Sequence, residues 1–130
     1  ENKKINFNDS FSKTKKLIKQ ANELGFTWPN SSSCFDKVEE EFIELKNAVI
    51  SKNTRNIKEE IGDLLFTLQC FAEIKNYNLN DILSTSNYKF ENRFSKLKEI
   101  AKFENIVLNK ASSKTKEKLW KKAKKKVKLP

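Results

Sequence analysis

Residues 38–68 contain Val38-Glu39-Glu40-Glu41-Phe42-Ile43-Glu44-Leu45 and, after a polar break, Ile57-Lys58-Glu59-Glu60-Ile61-Gly62-Asp63-Leu64-Leu65-Phe66-Thr67-Leu68. One pattern is written twice. Val38, Phe42, Leu45 and Val49 in the first segment return as Ile57, Ile61, Leu64 and Leu68 in the second, at identical spacings. Steps of four, three and four are helical periodicity, so two amphipathic helices are expected. At about 100° per residue, Glu41 and Glu44 fall on one flank of the first stripe, and Glu60 and Asp63 on the same flank of the second. Only Ser51 to Arg55 separate the segments, a connection short enough to make the helices antiparallel neighbours. Four carboxylates then meet at the edge of a core.

Like charges in a half-dry site repel, and either raised pKa values or a cation must relieve them. Oxygen ligands with no His or Cys suit a hard ion, Mg²⁺ first and Mn²⁺ second, whose remaining positions are filled by water or phosphate oxygens. The competing reading is that acids beside an apolar stripe are simply solvated.

The 130 residues are 37% hydrophobic, enough for one domain with a core. Two Gly and two Pro are too little turn punctuation for a strand-rich fold, so the expected class is all-α, an antiparallel helical bundle of about five helices. Cys34 and Cys70 have no metal-binding spacing and read as two reduced thiols in a cytoplasmic protein. No apolar run reaches the roughly 18 residues of a spanning helix, and the start carries no signal-peptide core, so no membrane partner is expected. The chain contains no Met, so the expectation is a fragment or trimmed product of a longer protein.

The net charge of +10 invites a nucleic-acid reading. Much of it is concentrated in the lysines between Lys114 and Lys128, and Lys and Asn are abundant throughout, so a nucleic-acid partner is not the expectation. The first helix is expected from about Ser10 to Leu24, capped by Asp9 or Ser10, with Phe11, Leu17, Ile18, Ala21 and Leu24 inward and Gly25 as its stop. A turn-rich stretch around Trp28-Pro29 follows, with Trp28 a candidate for base stacking. The second helix is expected from near Cys34, capped by Ser33, to near Lys52; the third from Asn56 to Lys75, capped by Thr54, with Asn76 as a left-handed end. A fourth is expected from Asn80-Asp81 to about 102, and a short last helix capped by Ser112 or Ser113 and bearing Leu119, Trp120, Ala123 and Val127, with the remaining lysines forming a solvated, frayed tail.

On the fourth helix Lys89 and Arg93 are four apart and share a face, as a bound polyanion would require, although a merely basic face would look the same. Trp120 and Lys124 repeat that spacing on the last helix, where Trp120 serves either as an anchor on the core or as the wall of a ligand site.

Taken together, these segments resemble the MazG family of all-α nucleoside triphosphate pyrophosphohydrolases. Glu40-Glu41-Phe42-Ile43-Glu44 resembles that family's EExxE and Glu60-Ile61-Gly62-Asp63 its ExxD. Gly25-Phe26-Thr27-Trp28-Pro29, Asp36-Lys37-Val38-Glu39-Glu40, Asn87 to Phe94 and Leu119 to Lys124 extend the likeness to the C-terminal domain of two-domain MazG proteins, over roughly residues 10–126 of a single MazG-like domain, 1–130.

The resemblance implies that Glu41, Glu44, Glu60 and Asp63 are the catalytic, Mg²⁺-binding acids, with Glu40 auxiliary. Helical phasing agrees in turning Glu40 away from Glu41 and Glu44. It implies Lys37, Lys89, Arg93, Trp120 and Lys124 as contacts to a nucleoside triphosphate, hydrolysis to nucleoside monophosphate and pyrophosphate, and a homodimer. Seven residues after the ExxD Asp, and three beyond that, the family pattern commonly has Asn and Arg; here stand Cys70 and Glu73. The alternative function is a non-catalytic helical module that holds RNA or an acidic partner through the basic C-terminus.

Overall fold

The structure is a computed structural model that describes residues 7–128. Among these are five α-helices, α1 (Phe7–Glu23), α2 (Ser31–Ile50), α3 (Thr54–Ile74), α4 (Leu79–Phe103) and α5 (Ser113–Lys126), with a 3₁₀ turn at Leu108–Lys110 and no strand. The fold class is the expected all-α one.

The first four helix starts lie earlier than local signals suggested, whereas α5 starts as expected. α1 begins at Phe7, so Asp9 and Ser10 lie inside its first turns instead of capping it. Asn30, not Ser33, caps α2: its side-chain oxygen accepts from the Ser33 N–H at 2.8 Å. Asn30 is the first of four cap-competent residues after Pro29, and the helix extends back to it. Asn53, not Thr54, likewise caps α3, accepting from the Asn56 N–H at 3.2 Å. The α2–α3 connector is thus only Ser51–Asn53.

Helix ends follow one closure. After α1, α2, α3 and α4 a left-handed residue, Gly25, Lys52, Asn76 or Asn105, lets its own amide and the next one turn back onto the last carbonyls, as in Asn76 N–H to Glu73 O at 3.0 Å and Tyr77 N–H to Ala72 O at 2.7 Å.

Two compact units are present, one ending at Asn80 and one beginning at Asp81. In the first, α2 and α3 pack along their length and α1 lies against α3. Ile18, Cys34 and Cys70 form its buried centre, with Trp28, Phe71 and Ile74 packed around them. Trp28, a candidate for base stacking, is therefore engaged in this core. Gln69 is buried and donates from Nε2 to the Phe11 carbonyl at 2.7 Å, fastening α1 to α3.

The buried line of α2 is Cys34, Glu41 and Ala48, with Val38 and Leu45 half-buried. That line is rotated from the expected stripe. Phe42, Val49 and Ile61 are exposed, as are Leu17 of α1 and Leu24 just after it. Packing chose the narrow side of the hairpin, where Cys34 and Ala48 allow close approach, and left the bulky side uncovered.

Gly62 sits within α3 with nothing within 4 Å of the position a Cβ would take. Gly62→Ala is expected to raise the stability of the isolated chain by about 1 kcal/mol in chemical denaturation. A loss would mean that this backbone is closely approached in solution.

In the second unit α4 and α5 close over Leu97, Ala101, Leu119 and Ala123, flanked by Ile100, Ile106, Leu108 and Trp120. Ser112 caps α5, accepting from the Thr115 N–H at 3.1 Å, and Lys122 pairs with Glu104 at 3.0 Å. The last helix is present as expected and runs through Lys126, its lysines exposed but helical and not frayed.

Candidate metal centre and phosphate-binding residues

The α2–α3 hairpin positions the acids. Glu41 follows Cys34 and Val38 along the inner side of α2, so its side chain enters the seam between the helices, and the residue is only 7% exposed. On α3, Glu60 is half-buried and Asp63, three residues on, is exposed. Thr67 donates its hydroxyl to the Asp63 carbonyl at 2.8 Å, satisfying a buried hydroxyl inside the helix. Oxygens of Glu41, Glu60 and Asp63 all lie within 4.8 Å of one another.

Glu44 stands beside this trio and adjoins Glu60. Desolvation first, then contact with the Glu41 and Glu44 carboxyls and their charge, pushes Glu60 up to about 7. One oxygen each of Glu41 and Glu60 is shielded from solvent and lacks a hydrogen-bond partner. Shielded carboxylate oxygens without donors call for a proton or a cation. The donors are all carboxylate oxygens, as a hard divalent ion prefers.

Glu60 makes the metal-free protein pH-sensitive with a definite sign. Its folded-state value lies above the ordinary 4.5, so the folded chain binds more protons than the unfolded one between about 4.5 and 7. Stability in chelator is therefore expected to fall as pH rises through that window, and Glu60→Gln to flatten the dependence in thermal melts. A wild-type stability that rises over the same range would contradict it.

Lys37 places its ammonium 3.2 Å from Glu40 Oε1 and 3.4 Å from Glu41 Oε1. Hydrogen bonding to Glu40 is the main cause that raises its pKa. Glu40 is exposed and outside the trio, in line with the helical phasing.

In the second unit Lys89 is exposed on α4, and Arg93, one turn on, is half-buried with its Nε shielded and without a hydrogen-bond partner. Trp120 is half-buried with its ring 5.7 Å from that of Phe90, which stacks in turn on Phe94 at 5.6 Å. Of the two roles open to Trp120, anchoring on the core is thus realised. Lys124 is exposed. A groove of about 630 Å³ in this unit, lined by Ile100, Phe103, Lys122 and others, contains none of the expected site residues.

Cys70 lies in the core beside Cys34, and burial first, then the charges of Cys34 and Glu73, pushes its thiol up to about 11. Both cysteines are free. Glu73 is half-buried nearby on α3. The contribution of Lys37 to the electrostatics of Glu41 was not anticipated, although its four-residue spacing on a helix is the signal that predicts the pair.

Comparison with known proteins covers the stretch that holds the hairpin and its acids. Residues 30–97, just over half of the 130, match the MazG nucleotide pyrophosphohydrolase domain. The chain belongs to the MazG family. It is 31% identical over 115 residues to the nucleoside triphosphate pyrophosphohydrolase/pyrophosphatase MazG of Thermotoga maritima, covering 88% of this chain and 44% of that protein. With the nucleoside triphosphate pyrophosphohydrolase of Escherichia coli K12 it shares 28% over 116 residues, 86% of this chain and 43% of the relative. The uncharacterized protein YabN of Bacillus subtilis is 39% identical over 69 residues, 53% of this chain and 14% of its own. The chain spans less than half the length of the two MazG pyrophosphohydrolases. The MazG match runs across the boundary between the two compact units.

Proposed function

We propose that this chain hydrolyses nucleoside triphosphates to nucleoside monophosphate and pyrophosphate with Mg²⁺, or Mn²⁺ in its place, held by Glu41, Glu60 and Asp63 with Glu44 beside them. The observation that carries the reading is the convergence of three carboxylates within 4.8 Å, two of them with shielded, unpartnered oxygens. Membership of the MazG family and the printed activities of the Thermotoga and Escherichia relatives support it. The family match crossing the unit boundary supports reading 1–130 as one functional domain.

A divalent cation at such a centre polarises phosphate oxygens and offsets the charge that develops in phosphoryl transfer. The chain's own residues would do the rest. Lys89 and Arg93 neutralise the leaving pyrophosphate, Arg93 through a guanidinium whose shielded Nε has no hydrogen-bond partner within the chain. Lys37, Trp120 and Lys124 complete the contacts to the substrate, Trp120 while also packing against Phe90. One carboxylate of the cluster takes the proton from the attacking water. Glu40 stays auxiliary.

A homodimer is part of the same proposal, supported by the uncovered apolar side of the hairpin, including Phe42, Val49, Ile50, Ile61 and Phe66, and by Phe90 and Phe94 on α4. No described helix is long and apolar enough to cross a membrane, and two free thiols support a cytoplasmic setting. The test is release of pyrophosphate and nucleoside monophosphate across a panel of nucleotides, with and without Mg²⁺. Activity that depends on the metal is the expected result. No consumption of any nucleotide, together with a melting temperature insensitive to millimolar Mg²⁺, would overturn the proposal.

A further inference from the structure

We propose that Lys37 and Glu40 form a counter-ion relay for the metal centre: Lys37 neutralises Glu41 in the metal-free protein and transfers fully to Glu40 when a divalent cation takes Glu41. The inference rests on the metal-binding reading above. From one position on α2 the Lys37 ammonium reaches a carboxylate one turn on in either register, Glu40 at 3.2 Å and Glu41 at 3.4 Å. The transfer therefore needs only side-chain torsions, on a stem whose rotatable point charge suits exchange better than a guanidinium fork would.

The two acceptors are unequal. The Glu40 side chain is 59% exposed and Glu41 only 9%. A solvated carboxylate gains little from an ion pair, whereas a buried one beside Glu60 and Asp63 strongly needs a cation. With no metal, Lys37 is the cation that Glu41 has. A dication carries twice the charge and contacts the oxygens directly, and two cations on one carboxylate repel. Glu40 then receives the displaced ammonium and keeps it next to the centre, available to a phosphate oxygen. Glu40, the first acid of the Glu40-Glu41 pair, thereby has work that requires no contact with the metal.

The test is calorimetric titration of Mg²⁺ into the full chain without nucleotide, which reads binding and not turnover. Lys37→Met is expected to tighten Mg²⁺ binding by about 3- to 10-fold and to lower the melting temperature of the metal-free protein. Glu40→Gln is expected to weaken binding by about 2- to 5-fold, and that loss is expected to vanish in the Lys37→Met background. Equal losses from Glu40→Gln in both backgrounds would reduce the effect to through-space charge and overturn the relay. So would unchanged or weaker binding by Lys37→Met. Glu41→Gln separates the two readings: if it binds Mg²⁺ as tightly as the wild type, the metal centre is elsewhere and the relay falls with it.

Discussion

Glu41→Gln is expected to lower metal-dependent pyrophosphate release by at least about 100-fold, because even groups that only orient a metal's ligands cost 10- to 100-fold in metal affinity when changed. The same variant should keep its helical circular dichroism in the absence of metal. Glutamine has the shape of the residue it replaces, and removing one negative charge relieves Glu60 and Asp63 of a neighbour within 4.8 Å. Glu40→Gln, on an exposed carboxylate outside the trio, should cost well under tenfold. Parallel kinetics of the two variants check this. Equal losses at positions 40 and 41 would mean that the helix presents a different face to the site.

Leu119→Ala is expected to destabilise the second unit by about 3 kcal/mol, the range for a fully buried leucine whose neighbours cannot collapse into the space. Leu119 is 2% exposed and joins α5 to Leu97 and Ala101 of α4. Few other apolar groups hold α5, whose outer surface is largely lysine. Denaturant melts and proteolysis after lysine should therefore show α5 released first. Lys121→Ala, on an exposed lysine paired only with Glu117, should leave both unchanged within about 0.5 kcal/mol. A Leu119→Ala protein as resistant as the wild type would show that α5 is held by other contacts.

How far the sequence was legible varies with the physics behind each feature. The doubled period of four, three and four located the hairpin, and the helical phase of Glu41, Glu60 and Asp63 brought them together as expected, because both depend on one backbone geometry repeated over many residues. Glu44 was placed equally with them and lies outside the group within 4.8 Å while touching Glu60; a phase angle does not say how deep a side chain reaches. The buried line of α2 was legible only in part. Hydrophobicity pointed to Phe42 and Val49, but close approach of two helices favoured the smaller Cys34 and Ala48, a property of the pair and not of either helix. The caps were displaced toward Asn30 and Asn53 because several adjacent residues were competent, and local signals do not rank neighbours one or three residues apart. Trp120 was readable as anchor or wall; its packing against the α4–α5 core and the ring of Phe90, thirty residues earlier in the chain, realises the anchor, and the wall stays part of the proposal.

The three-residue connector between α2 and α3 bears on how the chain folds. Closing so short a loop costs little entropy, and its contacts are local, so the hairpin is the element suited to form early. Yet each closure drives Glu41 toward Glu60 and Asp63, a concentration of charge that Lys37, four residues before Glu41 on the same helix, offsets only in part. The nascent hairpin closes against its own electrostatic field. A divalent ion or a lowered pH would thus speed the folding of this chain as well as steady its folded state, which makes the ionic conditions of refolding a matter of rate and not only of yield.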